Sequence, residues 1–193
     1  MNIIDISKDI MLCPVYEGDP KPQLKKLASI SDGDECNIST LFACVHTGTH
    51  CDFPLHYIDG GKAADEIPLS SFIGECEVVE FHGEEISEND VFSLFSRNSQ
   101  RILIKSNSKA HFNQSGAKAA AEFDLKLIGV DSDSIGLPTD EKNPHLAFMQ
   151  KNIAIIENLY LDEVKEGKYF LFAPPIKIAS SEGAFARAIL IQE

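Results

Sequence analysis

A chain of 193 residues with 44% hydrophobic content is long enough for one well-buried core and too short for two full domains, so residues 1–193 are read as a single domain. A formal net charge of −13 opposes nucleic acid and anionic membranes as partners, since phosphate recognition needs basic faces, and leaves a small-molecule substrate as the better match. The first nine residues lack the apolar core of a signal peptide and no later run approaches the ~18 apolar residues of a membrane span, so a cytoplasmic location is expected.

In chain order, strand-like runs cover 3–6, 38–45, 75–81, 101–105, 126–130, 153–157, 169–173 and 188–191. Helical signals alternate with the middle ones. Ser87-Glu88-Asn89-Asp90 reads as a helix start followed by an apolar stripe of Val91, Leu94 and Phe95. Residues 115–123 are helical by propensity through Ala119-Ala120-Ala121, and Asn143-Pro144 resembles a helix cap with a first-turn proline, placing His145 at a helix start. Strand, helix, strand, helix, strand, helix, strand after residue 75 is an α/β pattern whose βαβ units imply partly parallel pairing. Two polar stretches, 106–114 and 131–143, are the expected long loops, and either would border a pocket. Within and near them His111, Asp131, Asp133 and His82 are weak ligand candidates, because polar residues of this kind are routine in turns.

The densest chemistry lies in His46-Thr47-Gly48-Thr49-His50-Cys51-Asp52-Phe53-Pro54-Leu55-His56, where three imidazoles and a carboxylate fall within eleven residues. Mixed nitrogen and oxygen donors suit a borderline divalent cation such as zinc or manganese. A helix would bring His46 and His50 together, yet Gly48, Pro54 and the β-branched Thr47 and Thr49 all weaken one. In an extended chain residues 46, 50, 52 and 56 share a face, but His46 and His50 would stand roughly 13 Å apart. Ligands of one ion lie within about 4 Å of each other, so the chain must bend between them, and Gly48 is the residue that tolerates positive φ. Cys51 has the opposite parity and points away from such a site. The five cysteines (Cys13, Cys36, Cys44, Cys51 and Cys76) are odd in number and form no C-x-x-C pair, which reads as reduced thiols rather than a disulfide scaffold or zinc ribbon.

This segment resembles the signature of the metal-dependent cyclase family, which includes bacterial kynurenine formamidases and isatin hydrolase and is written roughly H-T-G-T-H-x-D-x-P-x-H. The similarity extends to Gly18-Asp19-Pro20, Gly129-Val130-Asp131 with Ser134, Pro144-His145, Ile155-Ile156-Glu157, Ala173-Pro174-Pro175-Ile176-Lys177-Ile178, and Glu182-Gly183-Ala184 with Arg187-Ala188. The resemblance implies a swivelling β/β/α-type fold with a mixed sheet. It also implies one or two divalent ions: His46, His50 and Asp52 would hold the first, and Asp52 would reach a second completed by His56, His145 and Glu157. Tyr16 and Phe53 stand where kynurenine formamidases usually carry a tryptophan and a small residue, the chain has no tryptophan, and Phe185 replaces a common proline. Tyr16 and Phe53 are accordingly expected to line the substrate pocket.

The expected activity is hydrolysis of a small amide, an aryl formamide or a cyclic amide, by metal-activated water whose pKa falls from near 16 to about 7. His56 would shuttle protons or serve as a second-metal ligand. The alternatives are a cyclase or dehydratase with the same ligands, and a non-enzymatic metal-binding or thiol-redox protein, which would need an exposed, reactive Cys44 or Cys51. Relatives are commonly homo-oligomeric, so a dimer or tetramer is expected.

Overall fold

The near-continuous apolar runs of the central segments become adjacent parallel strands, as runs buried on both faces do. In the computed structural model, which describes residues 1–192, the elements follow in this order: β1 (Asn2–Asp5), β2 (Gln23–Ala28), β3 (Ile38–Phe42), β4 (His50–Asp52), β5 (Ile73–Glu80), β6 (Glu85–Ile86), α1 (Glu88–Leu94), β7 (Arg101–Lys105), β8 (His111–Phe112), α2 (Gln114–Ala121), β9 (Leu127–Val130), α3 (Lys142–Met149), β10 (Ala154–Glu157), β11 (Gly167–Phe172), β12 (Gly183–Phe185) and β13 (Ile189–Gln192). Nine strands form one mixed sheet in the order β1-β13-β11-β5-β7-β9-β10-β4-β12. The centre, β5-β7-β9-β10, is parallel, and antiparallel strands flank it on both sides. The α/β expectation with partly parallel pairing therefore holds.

Period-2 alternation divides the core in two. Ile102 and Ile104 of β7 face one way with Ile128, Val130 and Ile155, where Val91, Ala117 and Phe148 of the three helices cover them. Leu103 faces the other way, with Val78, Leu127, Ile156, Phe53, Phe72 and Leu171. The helices are fixed at their starts: Asp90 accepts the Ser87 amide at 2.8 Å in a capping box, and Asn113 Oδ1 accepts the Gly116 amide at 2.8 Å. Among the described residues no helix is long and apolar enough to cross a membrane.

Several boundaries differ from the sequence reading. α3 begins at Lys142 with Glu141 as its cap position, so His145 is the fourth helical residue and Asn143 instead bonds Asp140 at 2.9 Å. β3 ends at Phe42 rather than 45, and β2, β4 and β12 add strands that the periodicity did not reveal. Glu193, the last residue of the expected domain, lies outside the described residues.

Candidate metal centre

The centre is assembled where β4 and β10 meet. These strands pair antiparallel with His50 opposite Glu157 and Asp52 opposite Ile155. Alternation puts His50 and Asp52 on one face and sends Cys51 into the core. Before β4 the chain turns at Gly48, whose φ of +67° is in the left-handed region, and a Cβ there would meet Ile10 Cα at 3.3 Å and Lys8 O at 3.4 Å. That turn folds His46 back over Asp52, with Nδ1 2.8 Å from Oδ1. The shared-face argument thus applies to His50 and Asp52 alone: His46 reaches the site through the bend, and His56 through the short 3-10 turn Pro54–His56.

Two histidines are oriented by main-chain carbonyls. His50 Nδ1 donates to Gly48 O at 2.8 Å, and His145 Nδ1, carried on α3, donates to Glu141 O at 2.7 Å. Each Nε2 therefore faces the carboxylates, the orientation that second-layer hydrogen bonds impose on metal-ligating imidazoles. His50 Nε2 lies 3.3 Å from Asp52 Oδ1 and 3.5 Å from Glu157 Oε2. His145 Nε2 lies 3.2 Å from Glu157 Oε1 and 3.4 Å from Asp52 Oδ2. Glu157 Oε1 is held further by the Ile135 amide at 2.6 Å.

Two three-ligand groups result, His46-His50-Asp52 and Asp52-His145-Glu157, each with donor atoms within 4.8 Å of one another and with Asp52 common to both. Asp52 Oδ2 and His46 Nε2 are buried without a hydrogen-bond partner. Orphaned acceptors of this kind are costly to bury unless a cation satisfies them. The donor set suits a divalent cation. Burial alone would lower the pKa of His50, but Asp52 and Glu157 override it and hold that pKa well above its usual value; the same competition brings His145 to about 10. Burial would raise Asp52 and Glu157, yet the surrounding histidines keep both below the ordinary carboxylate range, Asp52 far below it. In the metal-free protein, then, imidazolium protons neutralise the carboxylates, and a bound cation would displace those protons.

His56 faces the same cavity, its ring centroid 4.3 Å from His46 and 5.9 Å from His145, but it joins neither ligand group. Burial lowers its pKa, the Asp52 charge opposes that shift, and His46 and His145 reinforce it. The imidazole is consequently neutral near pH 7 and able to accept a proton.

The centre forms the floor of a cavity of about 210 Å³. Tyr16 stands at the mouth and donates its hydroxyl to Glu141 Oε1 at 2.5 Å. Tyr57 packs against His145 with centroids 4.8 Å apart; burial, with Glu141, Glu157 and Asp52 nearby, pushes its phenol up to about 12. A neighbouring cavity of about 400 Å³ shares Tyr16, His46, Asp133 and Glu141 and is lined by His111 and Ser108. Both polar stretches expected as loops therefore border the site. A larger groove of about 720 Å³ around Arg101 and Lys126 lies at the N-terminal ends of the parallel strands, the end opposite to that where α/β sheets present their sites.

Phe53 requires correction. Its side chain is fully buried in the core, edge-on to Phe72 with centroids 6.3 Å apart, and lines none of these cavities. Like Cys51 it has odd parity on the β4 segment and points away from Asp52. Among the weak candidates, Asp131 is buried and accepts both the amide and hydroxyl of Ser106, His111 Nδ1 pairs with Ser134 O at 2.8 Å, and His82 is exposed. None joins a ligand group. The thiol-redox alternative loses its basis: Cys51 is fully buried, and burial pushes both its thiol and that of half-buried Cys44 up. Asp19, Tyr57 and Glu141 line the metal cavity without having been singled out as site residues; the available signals were the Gly18-Asp19-Pro20 turn and the position of Tyr57 directly after His56.

Buried carboxylates and anchored imidazoles at the floor of an open cavity, beside room for a small molecule, define the class of metal-dependent hydrolases. A family model described as putative cyclase matches residues 4–136. The kynurenine formamidase of Erythrobacter litoralis (strain HTCC2594) is 34% identical over 190 residues, covering 92% of this chain and 87% of that protein. A solved structure described as a potential metal-dependent hydrolase with cyclase activity superposes with a TM-score of 0.86 at 27% identity, over 100% of this chain and 98% of the other. Isatin hydrolase A from Labrenzia aggregata shares the fold, with a TM-score of 0.83 at 16% identity over 100% of this chain and 94% of that one. The chain belongs to the cyclase family.

Proposed function

We propose that this cyclase-family enzyme is an amidohydrolase of the kynurenine formamidase type, cleaving a small aryl formamide with the help of one or two zinc or manganese ions. The observation that carries the reading is the convergence of His50, Asp52, His145 and Glu157 on one point at the floor of the cavity, in a chain 34% identical to a kynurenine formamidase. His46, His50 and Asp52 would hold one ion, with Asp52, His145 and Glu157 placed for another. When bound, such a cation supplies a water acidic enough to react near neutral pH and a Lewis acid for the amide carbonyl.

The chain's own residues do the rest. Neutral His56 takes a proton from the attacking water and returns it to the leaving arylamine nitrogen, giving formate and the free amine. Glu157, fixed by the Ile135 amide, and Asp52, fixed by His46, keep their charge and orientation through the cycle. Tyr16 and Tyr57 supply aromatic walls for a planar substrate. The test is turnover of a panel of N-formyl arylamines, cyclic amides and lactones by metal-loaded protein before and after chelation. Formamide hydrolysis that is lost on chelation and restored by zinc or manganese supports the proposal. Turnover confined to lactones, or insensitive to chelation, refutes it.

A further inference from the structure

Glu141 O, the carbonyl that opens α3, accepts twice from one residue: the His145 ring donates Nδ1–H at 2.7 Å and the His145 amide donates at 3.4 Å. The ring bond is short, whereas the main-chain bond is stretched well past the usual length of about 2.9 Å. Orienting the ring thus competes with the first hydrogen bond of the helix. The Glu141 side chain does not relieve that turn, since it makes no capping bond to the helix amides. The place of the Glu141 carbonyl, and with it the aim of His145, has to be set from outside α3.

Two contacts set it. On one side Gly136 closes against the backbone, where a Cβ would lie 2.6 Å from Glu141 Cα and 2.8 Å from Glu141 O. On the other, Tyr16 donates its hydroxyl to Glu141 Oε1 at 2.5 Å. The Glu141 carboxylate has no ion-pair partner among the described residues, so this bond is its tether, and a bond to an ionised acceptor is roughly twice as strong as a neutral one. Glu141 in turn raises the pKa of the phenol, which keeps the hydroxyl a donor across the neutral range. Tyr16 itself is fixed by the turn that follows it, where the Asp19 amide donates to Tyr16 O at 3.1 Å and Gly18 has a φ of +96°.

We infer that Tyr16 is a positioning residue of the metal centre: its hydroxyl, through Glu141, sets the carbonyl that aims His145 Nε2 at Asp52 and Glu157. Tyr16 then has two separable parts, a ring that walls the cavity and a hydroxyl that acts on a ligand it does not touch. The consequence for metal binding rests on the amidohydrolase reading above, whereas the relay from Tyr16 to His145 is present in the metal-free chain.

A double-mutant cycle on Tyr16→Phe and Glu141→Ala tests the relay, with zinc affinity measured against a chromophoric chelator. Each single change should weaken zinc binding about tenfold, the lower end of the range for partners of metal ligands, and the double variant should bind no more weakly than either. Glu141→Gln, whose amide oxygen still accepts from the phenol, should recover most of the loss. In metal-free protein carrying isotope-labelled histidine, the His145 Nδ1–H resonance should stand in the wild type and in Glu141→Gln. It should be lost to solvent exchange in Tyr16→Phe and Glu141→Ala, at an unchanged melting point. Because that signal needs no metal, wild-type protein that binds no zinc yet shows this pattern refutes the amidohydrolase reading and upholds the relay. Folded variants with wild-type zinc affinity, additive losses in the double variant, or a His145 signal that is the same in every variant overturn the inference.

Discussion

Gly183 is the backing of His46, and filling it is a direct test of how the first ligand group is positioned. A Cβ on Gly183 would lie 2.7 Å from His46 Cε1, 2.9 Å from Nε2 and 3.1 Å from Nδ1, where an ordinary contact is 3.4 Å or more. In Gly183→Ala the ring must therefore retreat by roughly 0.5–0.7 Å toward the cavity, beyond the ~0.2 Å tolerance of metal–ligand bonds. Loss of one well-placed donor should lower metal affinity about 10–100-fold, or roughly 1.4–2.8 kcal/mol. Backbone strain does not enter, because Gly183 has no positive φ, and removing a glycine from the unfolded chain adds about 0.4–1 kcal/mol of stability. Competition with a chromophoric chelator, paired with melting curves with and without metal, separates the two effects. The metal-free melting point should stay level or rise while metal-dependent stabilisation shrinks. Wild-type metal affinity in a folded Gly183→Ala protein would refute the positioning role.

His56→Ala should lower kcat by about 10²–10⁴ with the metal content unchanged, the range for general acid–base catalysis; unaltered kcat removes it from the reaction. Cys51→Ala, a small truncation in the core, should reduce stability yet leave turnover per folded molecule intact, and lost turnover at full metal occupancy would return the thiol to the chemistry. The Ser87 hydroxyl and amide hold the Asp90 carboxyl below its usual value. A depressed carboxylate contributes stability above the unfolded pKa near ~4 that is lost as pH falls through its folded value. Asp90→Ala should thus cost about 1 kcal/mol at pH 7 in urea unfolding, with the difference shrinking below about pH 4; a pH-independent difference contradicts the capping account.

The parts legible in the sequence were those written in strong local patterns. The alternation of apolar runs with the Ser87 and Ala119-Ala120-Ala121 helices gave β5, β7, β9 and β10 in order, because strands buried on both faces have little freedom of register. Distance alone required a bend between His46 and His50, and Gly48 supplies it. Phe53 was misplaced even though the parity that sent Cys51 into the core applies equally to it two residues later. β2 escaped notice because Gln23, Lys25 and Lys26 break any alternation, and an arm with no core to face has no reason to show one. β4 and β12 are three residues each, too short for a periodic signal. The cavity wall draws Asp19, Tyr57 and Glu141 from three separate segments, a juxtaposition that only tertiary structure creates.

Asp52 belongs to both ligand groups, so its replacement reaches the central claim most directly. Metal content and formamide turnover should be measured on the same preparations of wild-type protein and Asp52→Ala, at neutral pH after exhaustive dialysis. The account predicts bound zinc or manganese with turnover in the wild type, and near-complete loss of both in a variant that remains folded. Full metal occupancy in Asp52→Ala, or undiminished turnover without metal, would contradict it.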